Sequence, residues 1–269
     1  MRKWSFKRIA LVFIIAPIFV VVAGVSAFMI FSIQNTYRES AGLYDALTAH
    51  ITFVAPGTNP QSPSTVEMVE EEETFTLPAH IALPVVDFDA LREINPDTVG
   101  WIMLPDTQIN YPVVQGADND RYLNHLFDGR RNATGAIFVD SYNQGGFVDR
   151  NTIIYGHHMR DGSMFAVLEQ YRVQTFFDAH PWIFLLTPER NYVIQLVAGY
   201  TADVEMSGWQ LEFEDDAAVG NWISERRDRS DFISSVETRP TDRFVTLSTC
   251  SWAFNNARYV VVGRLIPIA

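Results

Sequence analysis

The chain has 269 residues, 48% of them hydrophobic and 13% aromatic, which is enough for one domain with a proper core and too apolar for a disordered protein. Its formal charge is −12 and it shows no basic stripe, which argues against a nucleic-acid binder. One cysteine, Cys250, cannot build an internal disulfide framework.

Taken in order, the chain opens with Arg2, Lys3, Lys7 and Arg8, followed by an uncharged apolar run from Ile9 to Ile33. At ~1.5 Å per residue that run spans a bilayer with some tilt, and Pro17 is tolerable inside it. Basic residues before it set residues 1–8 as a cytoplasmic tail, 9–33 as a transmembrane anchor, and the remainder outside the cell. A cleaved signal peptide is the competing reading, because Val25-Ser26-Ala27 resembles a small-residue cleavage site. The run continues through Phe28-Met29-Ile30-Phe31, longer than a signal h-region, and favours the uncleaved anchor.

Residues 34–85 read as a stalk and linker. Leu43, Leu47 and Ile51 give helical spacing over Thr36–Ile51. Residues 55–84, with APGTNPQSPST and the acidic run Glu70–Glu73, read as a flexible, solvated spacer without helix or strand. The compact domain is expected from about Val86, over residues 86–269. Asp87–Ile94 reads as a short helix with Phe88, Leu91 and Ile94 on one face, stopped by Asn95-Pro96-Asp97. Eight apolar, β-branched runs follow as strands: Val99–Leu104, Ile109–Gln115, Ala136–Asp140, Thr152–Tyr155, Trp182–Thr187, Tyr192–Ala202, Arg243–Ser248 and Tyr259–Ile266. Helical patches lie at Asp120–Phe127, Met164–Tyr171 and Asp216–Arg229. Mostly strands with a few connecting helices predicts a β-barrel or sandwich with helical decoration.

Three features fall at strand ends: Cys250 closing TLSTC, the pair His157-His158 in YGHHM, and Arg258 opening RYVVV. A thiol is a weak nucleophile until ionised, and nearby positive charge ionises it. Histidine supplies a base or an imidazolium, and arginine a fixed cation with forked donors for an oxyanion. A lone cysteine on the outer side of a membrane cannot pair within its chain, so it is an intermolecular bridge, a passive buried thiol or a reactive one. Together the three residues favour catalysis over a buried free cysteine. Adjacent strand residues point to opposite faces, so one histidine faces the cysteine and the other packs elsewhere, and the doublet is a poor metal site. Arg243 and Arg264 read as plain strand-flanking arginines, and His50, His80, His125 and His180 as surface residues.

TLSTC followed by RYVVVGRL, with YGHHM upstream, resembles the class B sortases. VGWIMLPDTQINYPVVQ, NDRYLNHLF, GAIFVD and NTIIYGHHMRDGSMFAVLEQY are similar to that class in order and spacing, so the resemblance covers about residues 86–269. It implies an eight-stranded barrel with N-terminal helices and a long helix before the cysteine strand, at Asp216–Arg229. It also implies a membrane-anchored cysteine transpeptidase of Gram-positive bacteria. Such an enzyme cleaves an NPxTx or SPxTG-like sorting signal after Thr, holds the protein as a thioacyl intermediate, and passes it to an amine of a peptidoglycan precursor or a pilin. By the same resemblance Cys250 is the nucleophile, His157 the general acid/base and Arg258 the oxyanion partner. Asn119, Leu123 and Ser248 line the signal groove, and Trp209 falls in the loop over it. Read without the resemblance, Asn119 fits a helix cap, Ser248 a strand position and Leu123 core packing. The loop from Ser251 to Ala257 is short beside some relatives and carries Trp252 and Phe254. No metal or organic cofactor is implied, and no EF-hand loop is present. Two rivals are a surface cysteine protease and a non-catalytic binding domain. The papain-like order of Cys before His, with its CGSCW-like signature, is absent.

Overall fold

A computed structural model describes residues 6–54, 73–203, 209–250 and 257–268. The chain divides into an N-terminal unit, Met1–Leu43, and a compact unit, Tyr44–Ala269. Helix α1 runs unbroken from Phe6 to Leu47. It is long and apolar enough to cross a membrane, with an 18-residue window of mean hydropathy 2.0, none of it buried. The helix ends four residues earlier than the expected Ile51, because Ile-Thr-Phe-Val is β-branched and aromatic and forms strand β1, Ile51–Val54.

Strand β1 pairs antiparallel with β2, Leu83–Val86. Ahead of β2, Phe75 bridges Ile268 and its amide donates to the Pro267 carbonyl at 2.7 Å. The compact unit therefore takes in residues 44–54 and 73–85, which the sequence reading assigned to stalk and spacer. The spacer's residues 55–72 lie outside the described residues. Glu73 corrects the expectation of a wholly solvated acidic run. Its carboxylate accepts from both Nη atoms of Arg264, at 3.0 and 2.6 Å. Arg264 is in turn no plain surface arginine: its side chain is 8% exposed, and Asp242 sits 2.8 Å from its Nε. Burying a guanidinium without carboxylates beside it is costly, so this strap and Asp242 are what allow Arg264 to stand inside.

Helix α2, Phe88–Ile94, is capped by Asp87, whose carboxylate accepts from the Ala90 amide at 3.0 Å. Of its expected apolar face only Leu91 is buried; Ile94 is 44% exposed. Eight strands then close a barrel: β3 Thr98–Met103, β4 Asn110–Val114, β5 Ile137–Val139, β6 Asn151–Tyr155, β7 Trp182–Leu186, β8 Asn191–Asp203, β9 Phe244–Cys250 and β10 Ala257–Pro267. Their order around the barrel is β10-β8-β7-β3-β4-β5-β6-β9. All eight strands expected from the sequence are present. The β4–β5 and β6–β9 pairs are parallel and the rest antiparallel. Two expected helices are shorter 3-10 turns instead, at Arg121–Leu123 and Ala166–Arg172. In the first, the Asp118 carboxylate takes the amides of Asp120 and Arg121, a local bond that competes with a longer helix. A short helix α3, Gln174–Ala179, went unread in the sequence.

Helix α4, Asp216–Asp228, precedes the cysteine strand and is capped by Asp215 onto the Ala218 amide at 2.8 Å. Its Val219, Trp222 and Ile223 pack on Tyr200 of β8, Phe244 of β9 and Val260 of β10. Strands β8, β9 and β10 are thus covered on both faces, which explains their near-continuous apolar reading. Truncating Trp222 to alanine is expected to cost about 3–5 kcal/mol of stability.

Candidate active site

Strand register decides which chain ends meet. Strands β6 and β9 are parallel neighbours with Tyr155 opposite Ser248. Both chains leave the barrel at the same edge, and His157 and Cys250 each stand two residues beyond that pair. The Gly156 amide extends the ladder, donating to the Ser248 carbonyl at 3.1 Å. On the other side of β9, the antiparallel register sets Arg258 directly opposite Cys250. Three adjacent strands therefore bring His157, Cys250 and Arg258 to one edge. For Cys250 this is a statement about the backbone, since its side chain lies outside the described residues, as does the loop 251–256 with Trp252 and Phe254.

A cavity of about 290 Å³ opens at this edge. His157 and Arg258 line it, together with all four residues assigned to the signal groove: Asn119, Leu123, Ser248 and Trp209. Sequence reasoning missed Tyr155, Phe138 and Thr249, which line it too. A signal for Tyr155 was present, since it stands two residues before His157.

His157 is held from the 3-10 turn. Its Nε2–H donates to the Leu123 carbonyl at 2.8 Å. A carbonyl can only accept, so Nε2 carries a proton, and in the neutral ring Nδ1 is the basic nitrogen. The turn is pinned from below by Tyr122, which is 1% exposed. Its hydroxyl donates to Asp97 at 2.7 Å and accepts from Asn95 at 2.9 Å. Burial, first, pushes the Tyr122 phenol up to about 12, so it remains a donor. The residues that stop α2 thus fix the turn that orients the histidine.

Gly156 has no room for a side chain: a Cβ there would lie 2.5 Å from Ile137 Cδ1 and 2.7 Å from Phe165 Cδ2. It lets the strand end pass tightly over the barrel rim before His157. His158 goes the other way. It lines a separate cavity of about 600 Å³ with Gln108, Met159 and Gln170, and its Nε2 is 3.9 Å from Glu169. The two adjacent histidines are sorted onto different cavities, as strand alternation predicts.

Arg258 is partly buried, and among the described residues no carboxylate is paired with it; Nη1 donates to the Ala257 carbonyl at 3.1 Å. Next to it, Tyr155 donates to Asp140 at 2.8 Å. Burial and the Asp140 carboxylate drive the Tyr155 phenol far above its ordinary value, with Arg258 opposing, so the phenol stays neutral. Asn119 does not cap the turn, a role Asp118 fills; its Oδ1 accepts from the Ser141 amide at 2.8 Å, tying two rim loops together. Leu123 is only partly buried, so core packing does not account for it. Ser248 is 2% exposed and its Oγ has no partner among the described residues. A cation, an imidazole with a basic Nδ1, and a buried hydroxyl around one cavity suit an acyl group that gains negative charge during attack.

Comparison with known proteins agrees. The family model described as the sortase domain matches residues 102–266. Sortase B of Listeria monocytogenes is 36% identical over 178 residues, covering 65% of this chain and 72% of the relative. The Staphylococcus aureus sortase B–substrate complex superposes with a TM-score of 0.65 at 37% identity, over 68% of this chain and 85% of that one. Sortase B of Bacillus anthracis superposes with a TM-score of 0.69 at 29% identity, over 87% of this chain and 99% of that one. The chain belongs to the sortase family and, within it, to the class B enzymes, cysteine transpeptidases that anchor proteins to the cell wall.

Proposed function

We propose that Cys250 attacks the carbonyl carbon of the Thr in an NPxTx or SPxTG-like sorting signal. The register of β6, β9 and β10, which brings Cys250, His157 and Arg258 to one edge beside one cavity, carries this reading. The Cys250 sulfur, its proton passed to His157, forms the new bond to carbon while the carbonyl oxygen takes the negative charge. Arg258 stabilises that oxygen with a charge that needs no proton transfer. As the peptide C–N bond breaks, the departing amine takes a proton from His157, and a thioester remains on Cys250. An amine of a peptidoglycan precursor, or of a pilin lysine, then attacks the thioester, gives its proton to His157, and expels the Cys250 thiolate. Thioesters are activated toward amines, so transfer prevails over hydrolysis where the amine is positioned and water restricted.

Asn119, Leu123, Ser248 and Trp209 hold the sorting signal in the cavity that they line. The apolar run 9–33 anchors the chain, with residues 1–8 in the cytoplasm and the catalytic unit outside. Mass spectrometry of the full chain in detergent, incubated with Pro-x-Thr pentapeptides and an amine such as triglycine or diaminopimelate, tests the reading. An acyl adduct on Cys250 that converts to an amine-ligated product is expected, and Cys250→Ala abolishes both. Release of free acid alone, whatever the amine, would indicate a protease.

A further inference from the structure

Tyr44 stands in the last turn of α1, at the head of the compact unit. It is 5% exposed, and its hydroxyl donates to the carbonyl of Gly135 at 2.7 Å. Its ring meets Tyr111 edge-on at 5.2 Å. Gly135 has φ +63°, in the left-handed region that favours glycine. A Cβ on it would lie 2.5 Å from the Tyr122 carbonyl oxygen, 2.9 Å from that of Leu123 and 3.1 Å from His157 Cδ2. Gly135 is therefore packed against the very pair in which the His157 Nε2–H donates to the Leu123 carbonyl. The next residue is tied to the same turn, the Ala136 amide donating to the Tyr122 carbonyl at 3.0 Å. A buried carbonyl without a donor is costly, so a Gly135 peptide that loses Tyr44 turns or shifts to find another.

We propose that Tyr44 is a positioning residue for His157: by holding the Gly135 carbonyl it fixes the backbone that backs the Leu123–His157 hydrogen bond, and so keeps Nδ1 as the basic nitrogen. The proposal rests on His157 acting as the acid/base. It extends the positioning machinery back to the last turn of α1.

The test uses the full chain in detergent, with ¹⁵N-labelled histidine and a transfer assay. Tyr44→Phe is expected to lower kcat roughly tenfold, a partial loss of what a well-aimed general base contributes. KM for the sorting peptide should hold, and the His157 ¹⁵N pattern should move from Nε2–H toward a tautomer mixture. Tyr111→Phe is the control. It deletes a hydroxyl of the same cluster, which accepts from the Met164 amide at 3.0 Å, without reaching Gly135. Its kcat and His157 spectrum should match the wild type. A Tyr44→Phe enzyme with wild-type kcat and an unchanged His157 pattern overturns the proposal, as does an equal loss in Tyr111→Phe. His157→Ala separates the two levels of the argument: near-normal turnover there sinks the acid/base role itself, while the tautomer measurement on Tyr44→Phe still reports whether the latch orients the ring.

Discussion

Arg258 and Arg264 stand on the same strand, β10, and do opposite things. Arg264 is buried, with Glu73 and Asp242 against its guanidinium. Arg258 lines a cavity with Asp120 also on its wall, and among the described residues no carboxylate is paired with the guanidinium. At one end of β10 the charge is neutralised and holds a strap onto the barrel. At the other the charge is left to act on whatever enters. On the proposed mechanism a cation's partners, rather than its depth, separate the structural arginine from the functional one, since only an unneutralised charge can stabilise a developing oxyanion.

Four experiments break or sharpen this contrast. Arg258→Lys comes first: a point charge does not replace a planar fork, and kcat/KM should fall about 10²–10³-fold. Its unfolding temperature should stay near that of the wild type; a large drop would make Arg258 structural and erase the contrast. Arg264→Met should do the reverse. It takes the buried cation from both Glu73 and Asp242 and leaves Glu73 to the exposed Arg239, 3.2 Å away, at an expected cost of about 2–3 kcal/mol in denaturant unfolding, moderated because Glu73 is half in solvent. Activity well below the midpoint should survive, and its loss would mean that the strap reaches the active edge.

Smaller effects follow. His158→Ala, facing the other cavity, should change kcat/KM no more than about threefold, against the 10²–10⁴-fold that a general acid or base supplies. A collapse in rate would reverse the assignment of the doublet. Glu73→Gln is the mildest, under about 1 kcal/mol. The hydrogen bond from Arg264, first, holds the Glu73 carboxyl below its ordinary value of 4.5. The proton is bound more tightly in the unfolded chain, so the Glu73 contribution is complete above about 4.5 and is lost as pH falls from there through the lowered value. Stability curves of wild type and Glu73→Gln should therefore converge in acid and separate toward neutrality. Parallel curves throughout would mean that the ion pair contributes nothing.

Much of this was legible in the sequence. The eight strands carried clear β-branched and aromatic runs, and Cys250 and Arg258 fell on strand ends joined by one short loop, so their juxtaposition followed. The partner of β6 was harder. A parallel pairing across a long crossover leaves no local mark, so the chemistry of the residues suggested that a histidine faces Cys250 while the choice of His157 rested on resemblance. Arg264 was misread for the same reason: its carboxylates come from Glu73 and Asp242, one of them in a run that looked merely solvated. Tyr44 was invisible because its partner is a backbone carbonyl 91 residues away. Interactions with side-chain periodicity could be read. Those made through distant backbone could not.

The parallel seam between β6 and β9 also governs when the enzyme becomes reactive. Its two strands are about ninety residues apart along the chain, and contacts of that separation form late because a long loop must be closed first. Until β9 slots between β6 and β10, the backbone at Cys250 has neither His157 nor Arg258 beside it, and the activation proposed for its thiol has no partners. On the proposed mechanism barrel closure is thus the arming step, and a chain still folding carries no activated nucleophile to misacylate its neighbours.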